Sequence, residues 1–397
     1  MRFRENLLLG LGMAVAGCGS SGETSCTTCA GSGGRGGILI GAGGGVGGAP
    51  TAGGPATAGG PNAGRAGASG GAESATLVRL AAPKLVTDIA VKDGFVYYGD
   101  FDDDAGEDTT GRLAKVSTAG GTPTILARAQ PAATASELAM LYPKAIVVHG
   151  SSVYWIESRL RLPPRLAKVS VDGGDIVEVW SDSTCSDVLP PLAIDGDNLY
   201  WMAGCAGTAL LTVSATGGAP RVVASGSGNL WLQPGSAWTP DSNNRALTVG
   251  NGFAFWARVT GPVVSLPLAG GVMPTQIAHF FGVSGPSAII FSRDRLFVAR
   301  NDYKLQSRGA VLSLVPGETM TTIAENQNIE TDSALAVDAT TVYWGVNDSI
   351  RSAPRGGGAA ATVVSSVANP RSFALDATHL YFTDDNGGVF RAPKHLK

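Results

Sequence analysis

Cysteine, aspartate and histidine are the residue types here whose spacing could do chemistry, and each gives a different answer. Cys18 ends a basic start (Met1 to Arg4), an uncharged apolar run (Leu7 to Ala16) and the sequence Val15-Ala16-Gly17-Cys18. That is the layout of a bacterial export signal closed by a lipobox, whose cysteine thiol is acylated and becomes the new N-terminus. The apolar run is too short to span a bilayer as an ordinary helix, and no later segment is long enough. Lipid on Cys18 is therefore the expected membrane attachment, and several acyl chains hold stably. Gly19 follows the cysteine, where aspartate would favour inner-membrane retention, so the outer membrane of the cell envelope is the expected location.

Four other cysteines follow, an even number that fits an oxidising compartment. Cys185 and Cys205 are expected to form a disulfide, with two free thiols as the alternative. Cys26 and Cys29 lack a second ligand pair for a metal site and a folded neighbourhood for redox work. A local disulfide or unpaired thiols is the expectation there.

Asp100, Asp102, Asp103, Asp104, Glu107 and Asp108 crowd one segment. Calcium prefers several carboxylate oxygens, so Asp100, Asp102 and Asp104 are the candidate ligands. The run lacks the glycine and closing glutamate of an EF-hand, and a solvated charge run is the competing reading. No other cofactor is expected. His149, His279, His379 and His395 have no serine, cysteine or carboxylate partner suggested by spacing. No nucleophile elbow, His-Glu-x-x-His helix or phosphate loop occurs. The expectation is a protein that is not an enzyme, with a propeller hydrolase or lyase acting on glycans or lactones as the alternative.

These residues hang on three segments. Residues 1–17 form the signal peptide. Residues 18–75 are rich in Gly, Ala, Pro and Ser and nearly free of large apolar side chains, so nothing offsets the entropy of ordering them. A linker of that kind spans roughly 40 Å as a flexible coil. Residues 76–397 carry a repeat. Seven triplets recur about every 47 residues: Val96-Tyr97-Tyr98, Val153-Tyr154-Trp155, Leu199-Tyr200-Trp201, Ala254-Phe255-Trp256, Leu296-Phe297-Val298, Val342-Tyr343-Trp344 and Leu380-Tyr381-Phe382. Each sits in a second strand, followed by a third strand, a Gly-Gly turn such as Gly120-Gly121 or Gly173-Gly174, and a fourth strand. Short strands at this period mean propeller blades. The seventh unit stops before its fourth strand, while Thr76 to Leu80 reads as an orphan fourth strand. The expected fold is all-β: a seven-bladed propeller of four-stranded blades, closed by the N-terminal strand, with two separate sheet domains as the alternative.

The repeat resembles the YWTD propellers of lipoprotein receptors and, more closely, an uncharacterised family of propeller lipoproteins of Gram-negative bacteria. Leu335-Ala336-Val337-Asp338 with Val342-Tyr343-Trp344, and Ala119-Gly120-Gly121-Thr122-Pro123, carry the likeness. It covers residues 76–397 and implies a fold while leaving activity open. YWTD rings have six blades, so the count of seven comes from this chain alone.

In such a blade the second-to-third strand loop and the blade-to-blade loop emerge on one face. The length variation falls in those loops: Gly99 to Gly111, Glu157 to Pro164, Arg300 to Gly309, Ala129 to Tyr142 and Ser225 to Asn244. Insertions gathered on one face mark a binding face, against unconstrained drift. Trp231, Trp238, Tyr303, Arg159 and Arg161 are the candidate ligand-face residues, and the two tryptophans could equally plug the channel. A net charge of −3 without a basic stripe argues against nucleic acid. The expected partner is an envelope protein or glycan met by a monomeric propeller, and a structural scaffold in envelope assembly is the third reading.

Overall fold

The computed structural model describes residues 77–101, 111–128, 142–159, 162–205, 207–226, 247–257, 262–270, 274–280, 284–302, 309–330 and 333–394. The chain divides between Ala68 and Ser69, and every described residue belongs to the second unit. Among the described residues no helix is long and apolar enough to cross a membrane.

The described chain is all-β, with seven antiparallel four-stranded sheets. Strand β1 (Val78–Ala81) comes first and is set aside until the ring closes. Blade 1 holds β2 (Leu85–Lys92), β3 (Phe95–Phe101), β4 (Arg112–Ser117) and β5 (Thr124–Arg128). Blade 2 holds β6 (Ala145–His149), β7 (Ser152–Arg159), β8 (Leu162–Ser170) and β9 (Val177–Ser181). Blade 3 holds β10 (Asp187–Asp195), β11 (Asn198–Cys205), β12 (Gly207–Ser214) and β13 (Arg221–Gly226). Blade 4 holds β14 (Leu247–Gly250), β15 (Phe253–Ala257), β16 (Pro262–Pro267) and β17 (Thr275–His279). Blade 5 holds β18 (Ser284–Ser292), β19 (Arg295–Asp302), β20 (Gly309–Leu314) and β21 (Thr321–Gln327). Blade 6 holds β22 (Leu335–Val337), β23 (Thr341–Val346), β24 (Ser349–Pro354) and β25 (Ala361–Ser365). Blade 7 holds β26 (Phe373–Leu375), β27 (His379–Thr383) and β28 (Val389–Pro393), and β1 pairs with β28 as its outermost strand.

The first strands of neighbouring blades touch in one cyclic sequence, β2, β6, β10, β14, β18, β22, β26 and back to β2. The ring is closed. The expected closing strand, Thr76 to Leu80, is shifted by one or two residues: Val78 pairs with Arg391 and Ala81 with Val389.

The aromatic triplets explain why the ring holds together. Successive side chains of a strand point to opposite faces, so a paired aromatic fills both seams beside its blade. Tyr97 packs with blade 2 and Tyr98 with blade 7. Trp155 turns back to blade 1 while Tyr154 faces blade 3. The same alternation puts Tyr343 in the seam with blade 7 and Trp344 in the seam with blade 5. Trp155, Trp201, Trp344, Tyr343 and Tyr381 are fully buried. Burying side chains of this size contributes roughly 2–3 kcal/mol each before entropy is counted.

Seams are also stitched at the turns that follow the third strands of blades 1, 2 and 3. Arg391 Nη1 of blade 7 donates to Thr118 O of blade 1 at 2.6 Å, and Lys115 Nζ of blade 1 donates to Val171 O of blade 2 at 2.6 Å. Tyr154 OH of blade 2 donates to Ala215 O of blade 3 at 2.7 Å. The Gly-Gly turns take the expected backbone: Gly120 and Gly121 have φ of 92° and 123°, which glycine adopts without a Cβ penalty.

Strand direction settles the faces. Long connections at 102–111, 129–144 and 227–246 join strand ends at one face, while first-to-second strand turns close the other. One expected loop is corrected. Glu157 to Pro164 is mostly strand, because β7 and β8 continue their pairing to Arg159↔Leu162 and leave only residues 160–161 between them. Leu77 and Lys394, the two ends of the described propeller, lie at the short-turn face.

Candidate functional site

The first strands line a central channel, and its cavity has a volume of about 280 Å³. Its wall takes in apolar positions of the inner strands, among them Ile89, Ile146, Leu192, Leu247 and Ile289, which are buried among neighbouring blades, so more of its surface is polar than apolar. Charge enters at Lys144 and Asp187, where β6 and β10 begin, and at Asp88 within β2. Asp88 of blade 1 is held from two neighbours: its Oδ2 accepts from Ile146 N of blade 2 at 2.9 Å, and its Oδ1 from Ser372 Oγ of blade 7 at 3.1 Å. Lys144, buried at the start of blade 2, places Nζ 3.1 Å from Asp187 Oδ1 of blade 3. Asp187 Oδ1 also accepts from Val188 N at 2.7 Å. Thr248 Oγ1 accepts from Phe291 N at 3.0 Å, tying blade 4 to blade 5 nearer the short-turn end of the channel.

A second layer of charge lies on the long-loop side of the blades. Asp100 is buried, and Arg112 meets it with Nη2 at 2.5 Å and Nε at 2.6 Å. Burial first, then the Asp100 charge, pushes Tyr98 up to about 12. Glu157 is fully buried, paired with Arg165, and accepts from Trp155 Nε1 at 3.2 Å. Arg159 donates from Nε to Pro163 O at 2.8 Å and lies 3.4 Å from Glu178. Burial and the neighbouring Arg165 charge lower its pKa from the usual arginine range. Each of these pairs joins strands of a single blade and fixes the hairpin ends from which the loops depart.

Cys185 and Cys205 form the expected disulfide. It ties the connection entering blade 3 to the end of β11, two residues from Asp187. The acidic segment splits: Asp100 is matched by Arg112 within its hairpin, whereas Asp102 and Asp104 lie outside the described residues. Arg161, Trp231, Trp238, Tyr303, Cys18, Cys26 and Cys29 also lie outside them. His149 and His379 stand at the short-turn face, where His149 Nε2 is 2.7 Å from Asp197 Oδ1. His279 ends the outermost strand of blade 4, away from the channel.

Asp88, Lys144 and Asp187 did not figure among the sequence candidates. The available signal was a charge within or just ahead of an apolar inner strand, as in Thr87-Asp88-Ile89-Ala90 and Lys144-Ala145-Ile146-Val147. Nothing local says that residues 88, 144 and 372 meet; ring closure alone brings them together.

No protein-family model matches the chain, and no curated protein does. Similar solved structures exist. Virginiamycin B lyase from Staphylococcus aureus is 11% identical with a TM-score of 0.56, over 81% of this chain and 99% of that one. A computationally designed protein, Ika8, is 14% identical with a TM-score of 0.51, over 78% and 83%. A puromycin-hydrolysing peptidase of Mycobacterium tuberculosis is 14% identical with a TM-score of 0.52, over 77% of this chain and 50% of that one. At such identities the likeness is one of fold, and propellers host many unrelated functions.

Proposed function

We propose that this chain is an exported propeller, anchored by lipid on Cys18, that binds an envelope protein or glycan through its long-loop face without catalysis. The observation carrying this reading is the segregation of connections. The long ones at 102–111, 129–144 and 227–246 depart from one face; buried Asp100 and Arg112 pair across the ends of the first, and buried Lys144, at the end of the second, pairs with Asp187. Binding loops displayed on a rigid frame are a common arrangement for recognition. Leu77, the first described residue of the propeller, lies on the opposite face.

The catalytic alternative, a hydrolase or lyase acting on glycans or lactones, draws support from the carboxylates and ammonium at the channel mouth. The histidines disfavour it. His149, His279 and His379 all lie away from that mouth, so an acid-base pair there would rest on Asp88 and Lys144, both already engaged in joining blades.

A comparative pull-down from native membranes tests the binding reading. The full chain serves as bait, beside a Trp231→Ala, Trp238→Ala double variant with an unchanged melting curve. The proposal expects a discrete protein or glycan captured by the parent and lost from the variant. Equal capture by both, or capture by neither, removes the long-loop face from the account.

A further inference from the structure

We infer that Asn251 is a site of spontaneous covalent modification, converted to aspartate and isoaspartate through attack by the main-chain nitrogen of Gly252. This stands apart from the loop-face reading, because the site lies in a short turn on the opposite face.

The chain has two Asn-Gly steps, Asn251-Gly252 and Asn386-Gly387. Glycine has no Cβ, so its nitrogen can approach the preceding side chain without obstruction. Hydroxide removes the proton of that nitrogen, which bonds to the asparagine Cγ. The bond from Cγ to Nδ2 breaks, and ammonia leaves with a proton returned by water. The cyclic imide then takes up one water. Opening at Cγ gives aspartate, and opening at the main-chain carbonyl carbon gives isoaspartate, whose backbone runs through the side chain.

The fold separates the two steps. Asn251 and Gly252 form the exposed turn between β14 and β15, with φ of 51° and 78°. Gly252 O accepts from Leu268 N at 2.8 Å, but Gly252 N has no acceptor among the described residues. A Cβ placed on Gly252 would meet nothing within 4 Å, so the turn has room to rearrange. Asn386 is exposed too, yet Gly387 is buried and its nitrogen donates to Asp384 O at 3.1 Å. A Cβ on Gly387 would collide with Pro83 O and Lys84 O, so that step is both tied and crowded.

The two products fit differently. Blade 1 already carries aspartate in the same turn: Asp93 and Gly94 have φ of 49° and 78°, and Gly94 O accepts from Thr118 N at 2.8 Å. Isoaspartate instead adds a carbon to the main chain between Gly250 and Phe253, which pair directly. The hairpin has no slack for it, because a Cβ on Gly250 would already collide with Phe291 of blade 5. Phe291 also stacks on Phe255 at 5.0 Å, so the strain reaches the seam between blades 4 and 5.

Peptide mass spectrometry of the full chain, aged at neutral and at mildly alkaline pH, tests this, with isoaspartate counted by enzymatic carboxyl methylation. The inference expects position 251 to convert about tenfold faster than position 386, the factor that one hydrogen bond on the attacking nitrogen supplies. Conversion at 251 should quicken at the higher pH, since the nitrogen must lose its proton. In concentrated urea, where the fold no longer distinguishes them, both positions should convert at similar rates. Asn251→Asp should melt with the parent, and the isoaspartate fraction should melt lower. Survival of Asn251 in the folded chain alongside its conversion in urea overturns the inference. So does a folded chain in which Asn386 converts as fast, or an isoaspartate fraction that melts like the parent.

Discussion

Asp338 shows how much one side chain can do at a blade turn. Its Oδ1 accepts from Thr340 N and Thr341 N, both at 2.9 Å, and its Oδ2 accepts from Lys394 Nζ at 2.9 Å, joining blade 6 to blade 7. Burial alone would raise this carboxyl, but the two amides and the Lys394 ammonium outweigh it and hold the group at about 2. Its folded pKa lies below the unfolded value of about 3.9, so its stabilisation is fully present above that value and falls away as pH drops toward 2. Urea unfolding of the parent should therefore weaken by roughly 1–2 kcal/mol from this group between about pH 4 and pH 2. Asp338→Asn should be less stable at neutral pH, and the gap should narrow across that window. A gap independent of pH would show that the charge of Asp338 does not matter. Trp155 tests the seams in the same way. Fully buried between blades 1 and 2, it should cost roughly 3–5 kcal/mol when replaced by alanine, measured by chemical denaturation. A loss below 1 kcal/mol would contradict the seam-packing account.

At the scale of elements, legibility in the sequence follows the range of the interaction. The second strand of every blade could be seen because its central pair, aromatic in six blades and Phe297-Val298 in the fifth, serves two seams and has to recur in each unit. Turns were visible through glycine, and β1 through the missing fourth strand of the last unit. Asp88 and Lys144 were not visible, because their partners Ser372 and Asp187 belong to other blades and only ring closure sets them side by side. The extension of β7 and β8 to Arg159 and Leu162 was also missed: Glu157 to Pro164 reads as a loop, yet β8 runs through Pro163 and Pro164. Two predictions belong here. Deleting residues 78–81 strips Leu80 and Ala81 from the seam between blades 7 and 1 and bares the edge of β28. The melting temperature should drop by roughly 10 °C, and an unchanged value would argue against closure by β1. Reducing the Cys185–Cys205 bridge, which encloses a sequence separation of 20 residues, should lower stability by roughly 3 kcal/mol. Equal denaturation midpoints with and without reductant would contradict that.

The whole molecule has two unlike faces. One carries tight turns and the entry of the chain at Leu77, and the other carries the long connections and the charged mouth of the channel. Cys18→Ser should move the protein from the membrane pellet to the soluble fraction, and continued pelleting would remove the lipid anchor from the account. The most direct test of the central claim compares the two faces in intact cells, with a photo-crosslinking amino acid at one position of the full-length protein at a time. Leu85 and Arg128 represent the long-loop face, and Asp93 and Asp172 the short-turn face; all four are exposed. The account predicts a discrete crosslinked species from Leu85 or Arg128 and none from Asp93 or Asp172. Crosslinks from the short-turn face alone, or from neither face, would contradict it.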